Sequence, residues 1–292
     1  MPRTIDEGFR DFLRNLTPTS YETEAAKKHR ASIEACLKNN YNLRRFFRTG
    51  SFGNGTSIFG YSDVDYFASI PSENLSQNSS TSLTRIRNTF DARFPRTGVR
   101  VSCPTIIVPF GTDAKETTEV VPAKLDKVAG SNGNKFFVYQ IADCSGGWML
   151  SSPDIHNLYV RSIDQKLSSK VKPLVRFVKA WKYYQNVPIS SFYLELRVTK
   201  FVEDMKSIVY DIDLNSFFGH LSRVDLAAMQ DPMKISGYIS PCSTQAKLSE
   251  AKSKLATAAS RAQKAREAIR NENIKDAFYW WNLLFNGNLP GY

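Results

Sequence analysis

Apolar residues recur along this chain at two spacings, and each spacing predicts a different kind of element. In ETEAAKKHRASIEACLKN (22–39), Ala25, Ala26, Ile33, Cys36 and Leu37 fall on one side of a helix. Thr19 stands three residues before Glu22, the form of a capping box, so that helix is expected to start there. VDYFASI (64–70), VRVSCPTIIVPF (99–110) and TTEVVPAKL (117–125) are dense in β-branched and aromatic residues and read as strands. A polar loop, PSENLSQNSSTS (71–82), and a short helix, LTRIRNTFDARF (83–94), separate the first strand from the second. The turn GTDAKE joins the second strand to the third, so a small mixed sheet is expected.

From about Lys166 onward the pattern is helical. KLSSKVKPLVRFVKAWKYYQ (166–185) has helical periodicity, with Pro173 near the first turn, where a missing N–H is tolerated. SSFYLELRVTKFVEDM (190–205) reads as another helix, with Ser190 or Ser191 at its N-terminal end. TQAKLSEAKSKLATAASRAQKAREAIRNEN (244–273) reads as a long exposed helix whose apolar seam is too weak for a coiled coil. The expected architecture is α+β. Residues 1–160 form a catalytic lobe with an N-terminal spine helix, residues 161–292 form a helical lobe, and a cleft lies between them. Trp181, Trp280 and Trp281 read as core.

Composition narrows the function classes. Of 292 residues, 42% are hydrophobic and 12% aromatic, enough to bury a sizeable interior. No apolar run approaches the roughly 20 residues of a membrane span, and the N-terminus lacks a signal-like apolar region, so a cytoplasmic protein is expected. The net charge of +11 favours polyanionic partners such as nucleotides or nucleic acid. Cys36, Cys103, Cys144 and Cys242 lie far apart and read as free thiols of a reducing compartment. With three scattered histidines, no zinc site is expected.

The chemistry concentrates in GSFGNGTSIFGYSDVD (50–65). Alternation along a strand puts Asp63 and Asp65 on one face. Hard oxygen donors at that spacing suit Mg²⁺, which usually keeps substrate phosphates among its ligands. The Gly50-Ser51 turn can offer backbone N–H groups and a hydroxyl to a terminal phosphate. Glu119 lies among apolar residues on an interior-looking strand, where an unpaired charge is costly, so it is the expected third carboxylate. Asp211 and Asp213 of YDIDLNS share the spacing but lack both the turn and a following carboxylate strand. They read as a loop or helix-terminal feature.

The run from GSFGNGTSIFGYSDVD to EVVPAKL resembles the polymerase-β-type nucleotidyltransferases, and within them the bacterial cGAS/DncV-like enzymes that make cyclic oligonucleotide signals. SSPDIHNLYV (151–160), PLVRFVKAWKYY, ISSFYLEL, MQDPMKI and DAFYWWNLLFNGNLP extend the resemblance over nearly the whole chain. The resemblance implies that Gly50 and Ser51 hold the donor triphosphate. It implies that Asp63 and Asp65 bind two Mg²⁺ ions, with Mn²⁺ an alternative, and that Glu119 binds the catalytic metal and orients or deprotonates the attacking ribose hydroxyl. Lys179 is similar to a family lysine at the β/γ-phosphates, Ser191 to a phosphate-contacting serine, and Phe192 or Tyr193 to a base-stacking residue. The family usually has Asp where this chain has Glu119; Asp113 and Glu116 are the acidic alternatives.

The function implied is Mg²⁺-dependent joining of nucleoside triphosphates such as ATP or GTP into a cyclic di- or trinucleotide second messenger, with pyrophosphate release. The resemblance further implies a role in anti-phage defence, with operon-encoded regulators and an effector that responds to the product. A related transferase acting on an RNA 3′ end, a protein or a small molecule is the alternative. A nucleic-acid sensor and a non-catalytic binding module are weaker readings; nucleic-acid binding is not required, and three carboxylates in a basic cleft would oppose it. His156 reads as structural. Lys166, Lys170 and Lys172 read as a solvated helix face.

Overall fold

Thr4 starts the first helix by a reciprocal cap. Its hydroxyl accepts from Glu7 N (3.2 Å), and the Glu7 carboxylate accepts from Thr4 N (2.8 Å). The fold described here is a computed structural model, and it describes residues 3–18, 20–61, 64–110, 116–129 and 135–292. The helices are α1 (Ile5–Leu16), α2 (Ser20–Tyr41), α3 (Gly50–Asn54), α4 (Ser79–Arg93), α5 (Pro153–Lys166), α6 (Val171–Tyr184), α7 (Ser191–Val202), α8 (Tyr210–Arg223), α9 (Gln245–Arg270) and α10 (Ile274–Leu284). The strands are β1 (Arg45–Arg48), β2 (Val64–Ser69), β3 (Arg100–Ser102), β4 (Thr105–Phe110), β5 (Glu116–Ala129), β6 (Phe136–Ala142), β7 (Trp148–Ser151), β8 (Met229–Gln230) and β9 (Tyr238–Ile239). Thr19, the expected cap of α2, lies outside the described residues.

Strands β1 to β7 form one mixed sheet in the order β1-β2-β5-β4-β3, with β6 pairing β5 and β7. The β2–β5 pair is parallel and the other pairs are antiparallel. Alternation along β2 and β5 sorts their side chains between two clusters. Tyr66, Ala68 and Val120 pack with Ile33 and Leu37 of α2 and with Leu83, Ile86 and Phe90 of α4. Phe67 and Val121 point the other way, into a smaller cluster with Tyr139 and Ile141. The segment read as one strand over 99–110 is two, β3 and β4, which turn back on each other through Cys103 and Pro104.

The helical half holds the larger core, in which Trp181 and Trp281 are buried. Phe9, Phe12 and Leu16 join that core, so α1 packs on the helices although it lies within the first 160 residues. Each of these side chains contributes about 1.5–3 kcal/mol by leaving water. Residue 160 itself falls inside α5.

Two expectations are corrected. The helix read as exposed, α9, buries Ala251, Leu255, Ala258, Ala262 and Ala265 along one side and packs on α8 and α10. Alanine carries a weak apolar signal in sequence, yet its small size lets neighbouring helices approach closely. Likewise, Cys103 and Cys144 are not free. They form a disulfide with Cα atoms 5.6 Å apart, linking the β3–β4 and β6–β7 turns, whereas Cys36 and Cys242 are free thiols. The partners are 41 residues apart in sequence and meet only because the sheet folds both turns to one place.

Candidate active site

Asp65 and Glu119 are register partners on the parallel strands β2 and β5. Adjacent strands lie about 4.8 Å apart, and directly paired residues in a parallel ladder share a face. That face is the one turned away from α2 and α4. Glu116, an acidic alternative to Glu119, instead pairs with Phe110 of β4. Asp63 and Asp113 lie outside the described residues. Among the described residues, no group of three or more His, Cys, Asp or Glu could hold a metal ion. The two carboxylates that are described form a hard oxygen donor set of the kind Mg²⁺ takes.

The glycine-serine segment is a short helix, α3, rather than a simple turn. Thr49 N donates to Asp65 O (3.0 Å), anchoring the start of α3 to β2. Gly50 sits at φ +56°, and a Cβ there would overlap the Asp65 carboxylate. Only glycine meets both conditions. At the far end Thr56 N donates to Ser51 O (2.7 Å), closing the segment on itself. α3 also packs against α5.

Lys179 is not at an open surface. It is 1% exposed, and its Nζ donates to Glu195 Oε2 (2.6 Å) and Thr56 Oγ1 (2.9 Å). Asn54 Nδ2 and the Thr56 hydroxyl also donate to Glu195. A different lysine stands by the predicted phosphate serine: Lys182 Nζ donates to Ser191 Oγ (2.5 Å), with Tyr183 OH 3.3 Å from the same oxygen. Lys182 is three residues from Lys179 on the same helix, and sequence periodicity does not separate them. The cap of α7 is Ser190, whose hydroxyl accepts from Tyr193 N (3.3 Å), so capping does not occupy the Ser191 hydroxyl.

Phe192 and Tyr193 also part company. Phe192 is 41% exposed, its ring edge-on to His156 with centroids 5.3 Å apart. Tyr193 is buried, its hydroxyl donating to Ala227 O (2.9 Å). An exposed aromatic absent from the sequence-based candidates, Tyr61, lies 5.5 Å from Tyr183 and 5.4 Å from Tyr184. No local spacing signals it, because its neighbours come from α6. His156 Nε2 pairs with Asp231 (2.9 Å), which also accepts from Met233 N, Ile235 N and Ser236 N. Burial raises the Asp231 pKa, but the His156 hydrogen bond and the backbone donors outweigh it and hold the carboxyl well below its usual range.

The remaining charged groups have structural partners. Lys166 and Lys170 donate to the carbonyls of Glu203 and Ile208, and Lys172 pairs with Asp164 (3.8 Å). Asp211 and Asp213 occupy the first turn of α8, where Asp211 pairs with Arg266 and Asp213 accepts from Val209 N (2.6 Å). Arg45 joins the sheet to α5 through Asp154 (3.2 Å).

Comparison with known proteins places these features in context. A family model described as the Second Messenger Oligonucleotide or Dinucleotide Synthetase domain matches residues 3–162. A probable cyclic nucleotide synthase of Bacillus cereus (strain VD146) is 26% identical over 183 residues, covering 60% of this chain and 52% of that protein. The chain thus spans about half the length of the curated relative it matches. Among solved structures, Escherichia coli MS115-1 CdnC with ATP superposes with a TM-score of 0.74 at 17% identity, covering 98% of each chain. Vibrio cholerae DncV, as a mutant with ATP and GTP, gives 0.63 at 14% identity over 98% of this chain and 89% of that one. These likenesses establish the polymerase-β-like α+β fold expected from the sequence. No helix among the described residues is long and apolar enough to cross a membrane.

Proposed function

Because the chain belongs to the second messenger oligonucleotide or dinucleotide synthetase family of nucleotidyltransferases, we propose that it joins nucleoside triphosphates into a cyclic di- or trinucleotide and releases pyrophosphate. The observation that carries this reading is the Asp65–Glu119 register pair, set beside a glycine that leaves no Cβ against Asp65.

Asp63, Asp65 and Glu119 would hold Mg²⁺, or Mn²⁺ in its place. Two such ions, when bound, would supply charge neutralisation at the transferred phosphoryl group and a lowered pKa at the attacking hydroxyl. Glu119 orients the ribose hydroxyl and accepts its proton as the oxygen bonds to the α-phosphorus. The bond from that phosphorus to the bridging oxygen of pyrophosphate breaks. Gly50 and Ser51 bind the triphosphate through backbone N–H groups and a hydroxyl. Lys182 and Ser191 bind the leaving pyrophosphate; Lys182 takes the role expected of Lys179, whose ammonium is buried against Glu195. Phe192 stacks on a base. A second transfer within the linear intermediate closes the ring.

The substrates are cytoplasmic nucleotides, and we place the protein there, acting in anti-phage defence through an effector that binds the product. Operon-encoded regulators would act on the enzyme itself. The test is to incubate the full chain with ATP, GTP, CTP, UTP and Mg²⁺, treat with phosphatase and analyse by mass spectrometry. A phosphatase-resistant mass equal to two or three cyclised nucleoside monophosphates is expected. Pyrophosphate release only when an RNA, protein or small-molecule acceptor is added would replace this reading with acceptor-directed transfer.

A further inference from the structure

We propose that Lys179 and Glu195 are positioning residues, a buried ion pair that clamps the end of α3 to the helix carrying Ser191. The inference rests on reading Gly50, Ser51 and Ser191 as triphosphate contacts. Four side chains from three places meet. Lys179 comes from α6 and Glu195 from α7, while Asn54 ends α3 and Thr56 follows two residues later. Lys179 and Glu195 are 1% and 3% exposed, and Thr56 is fully buried. Glu195 receives Asn54 on one carboxylate oxygen and Lys179 and Thr56 on the other. The Thr56 hydroxyl accepts from Lys179 (2.9 Å), so Lys179, Thr56 and Glu195 form a closed triangle to which Asn54 is tied through Glu195.

The connections run on at both ends. Thr56 N donates to Ser51 O (2.7 Å), so the clamp grips the segment that begins at the phosphate turn. Glu195 lies four residues after Ser191 on α7, on the same side of the helix and one turn deeper. Arg176 Nε donates to Ser57 O (3.1 Å), and Ile58 enters the helical core, which fastens the rest of this segment to α6 and its neighbours. The two ends of the proposed triphosphate site therefore belong to different parts of the chain and are spaced by one buried polar network.

Stability does not account for such a network. Moving two charges out of water costs several kcal/mol per ion, and apolar replacements of similar volume are often neutral or stabilising. Geometry does account for it, because a carboxylate with three directed donors fixes distances that apolar packing leaves adjustable. Displacing a reacting group by about 1 Å can slow a reaction about 100-fold.

The test uses the full chain and the variants Thr56→Val, Thr56→Ser, Glu195→Gln and Lys179→Met, each measured for Tm, kcat and triphosphate KM. Thr56→Val keeps the volume and leaves the Lys179–Glu195 pair in place, so it guards against a loss of folding in the charge variants. The expected result is a fall in kcat of about 10- to 100-fold for Thr56→Val with little change in Tm. Thr56→Ser, which restores the hydroxyl, should recover most of it. Wild-type kcat/KM in Thr56→Val and Glu195→Gln would overturn the inference and leave the pair as core structure. A large rise in KM confined to Lys179→Met would also overturn it, by making Lys179 a direct phosphate ligand. Should the wild-type chain release no pyrophosphate from any triphosphate, the functional reading fails first and takes the positioning role with it.

Discussion

Asp65 and Glu119 stand opposite each other across β2 and β5, one carboxylate per strand on the same sheet face. The register makes this possible: directly paired residues on neighbouring strands point to the same face, and both residues lie near the N-terminal ends of their strands. Replacing either should remove a metal ligand without touching the core. Asp65→Asn and Glu119→Gln are expected to lower pyrophosphate release by about 100-fold or more, a loss of several kcal/mol in transition-state stabilisation. Circular dichroism should stay unchanged. Glu119→Asp, the residue usual in the family, should retain part of the activity, because its oxygens move by about 1 Å.

Lys182, three residues after the Lys179 expected at the phosphates, donates to the Ser191 hydroxyl, whereas Lys179 is buried against Glu195. Charge-assisted hydrogen bonds contribute about 1.5–3 kcal/mol. Lys182→Ala should therefore raise the triphosphate KM at least about tenfold, with a smaller effect on Tm. Steady-state kinetics with varied triphosphate would check it, and an unchanged KM would return the role to another cation.

Gly50 is held both by its left-handed backbone and by the Asp65 carboxylate. Gly50→Ala should destabilise the chain by about 1–2 kcal/mol from the backbone alone. Because the new methyl group must displace Asp65, activity should fall more than stability does. Equal wild-type kcat in a folded Gly50→Ala protein would show that Asp65 is free to move.

Asp231 links stability to pH. Its carboxyl pKa is depressed in the fold, chiefly because the His156 and backbone hydrogen bonds overcome the opposing effect of burial. A depressed carboxylate contributes stability that is complete above its unfolded value near about 3.9 and lost as pH falls below it. Urea denaturation should show a steep loss of stability below about pH 4 in the wild-type chain and a shallower one in Asp231→Asn. At pH 7 the variant should be less stable by about 3 kcal/mol, since it leaves buried donors poorly matched.

The Cys103–Cys144 bond closes a 41-residue separation. Chain entropy assigns such a loop about 4 kcal/mol of stabilisation. Dithiothreitol, or a double Cys→Ser variant, should lower Tm by several degrees while leaving the register of β2 and β5 and the activity intact. A cytoplasmic disulfide is uncommon, so mass spectrometry of alkylated protein from cells would show how much of it forms there.

Much of the framework that carries the candidate site was legible in residue spacing. The Asp65 strand, the Glu119 strand and the helices that became α6 and α7 each carry a local pattern, because side-chain direction along a strand or helix follows from backbone geometry. Spacing also separated Asp211 and Asp213 from the site, and the structure places both at the start of α8. It did not reveal that Lys179 turns inward while Lys182, three residues on, reaches Ser191. Nor did it reveal that Cys103 meets Cys144, or that the alanines of α9 form a buried seam. Those outcomes depend on which distant segment arrives opposite a residue. Local periodicity states which face a side chain shares, whereas the partner it meets is set by how whole helices and strands dock to bury their apolar surfaces together.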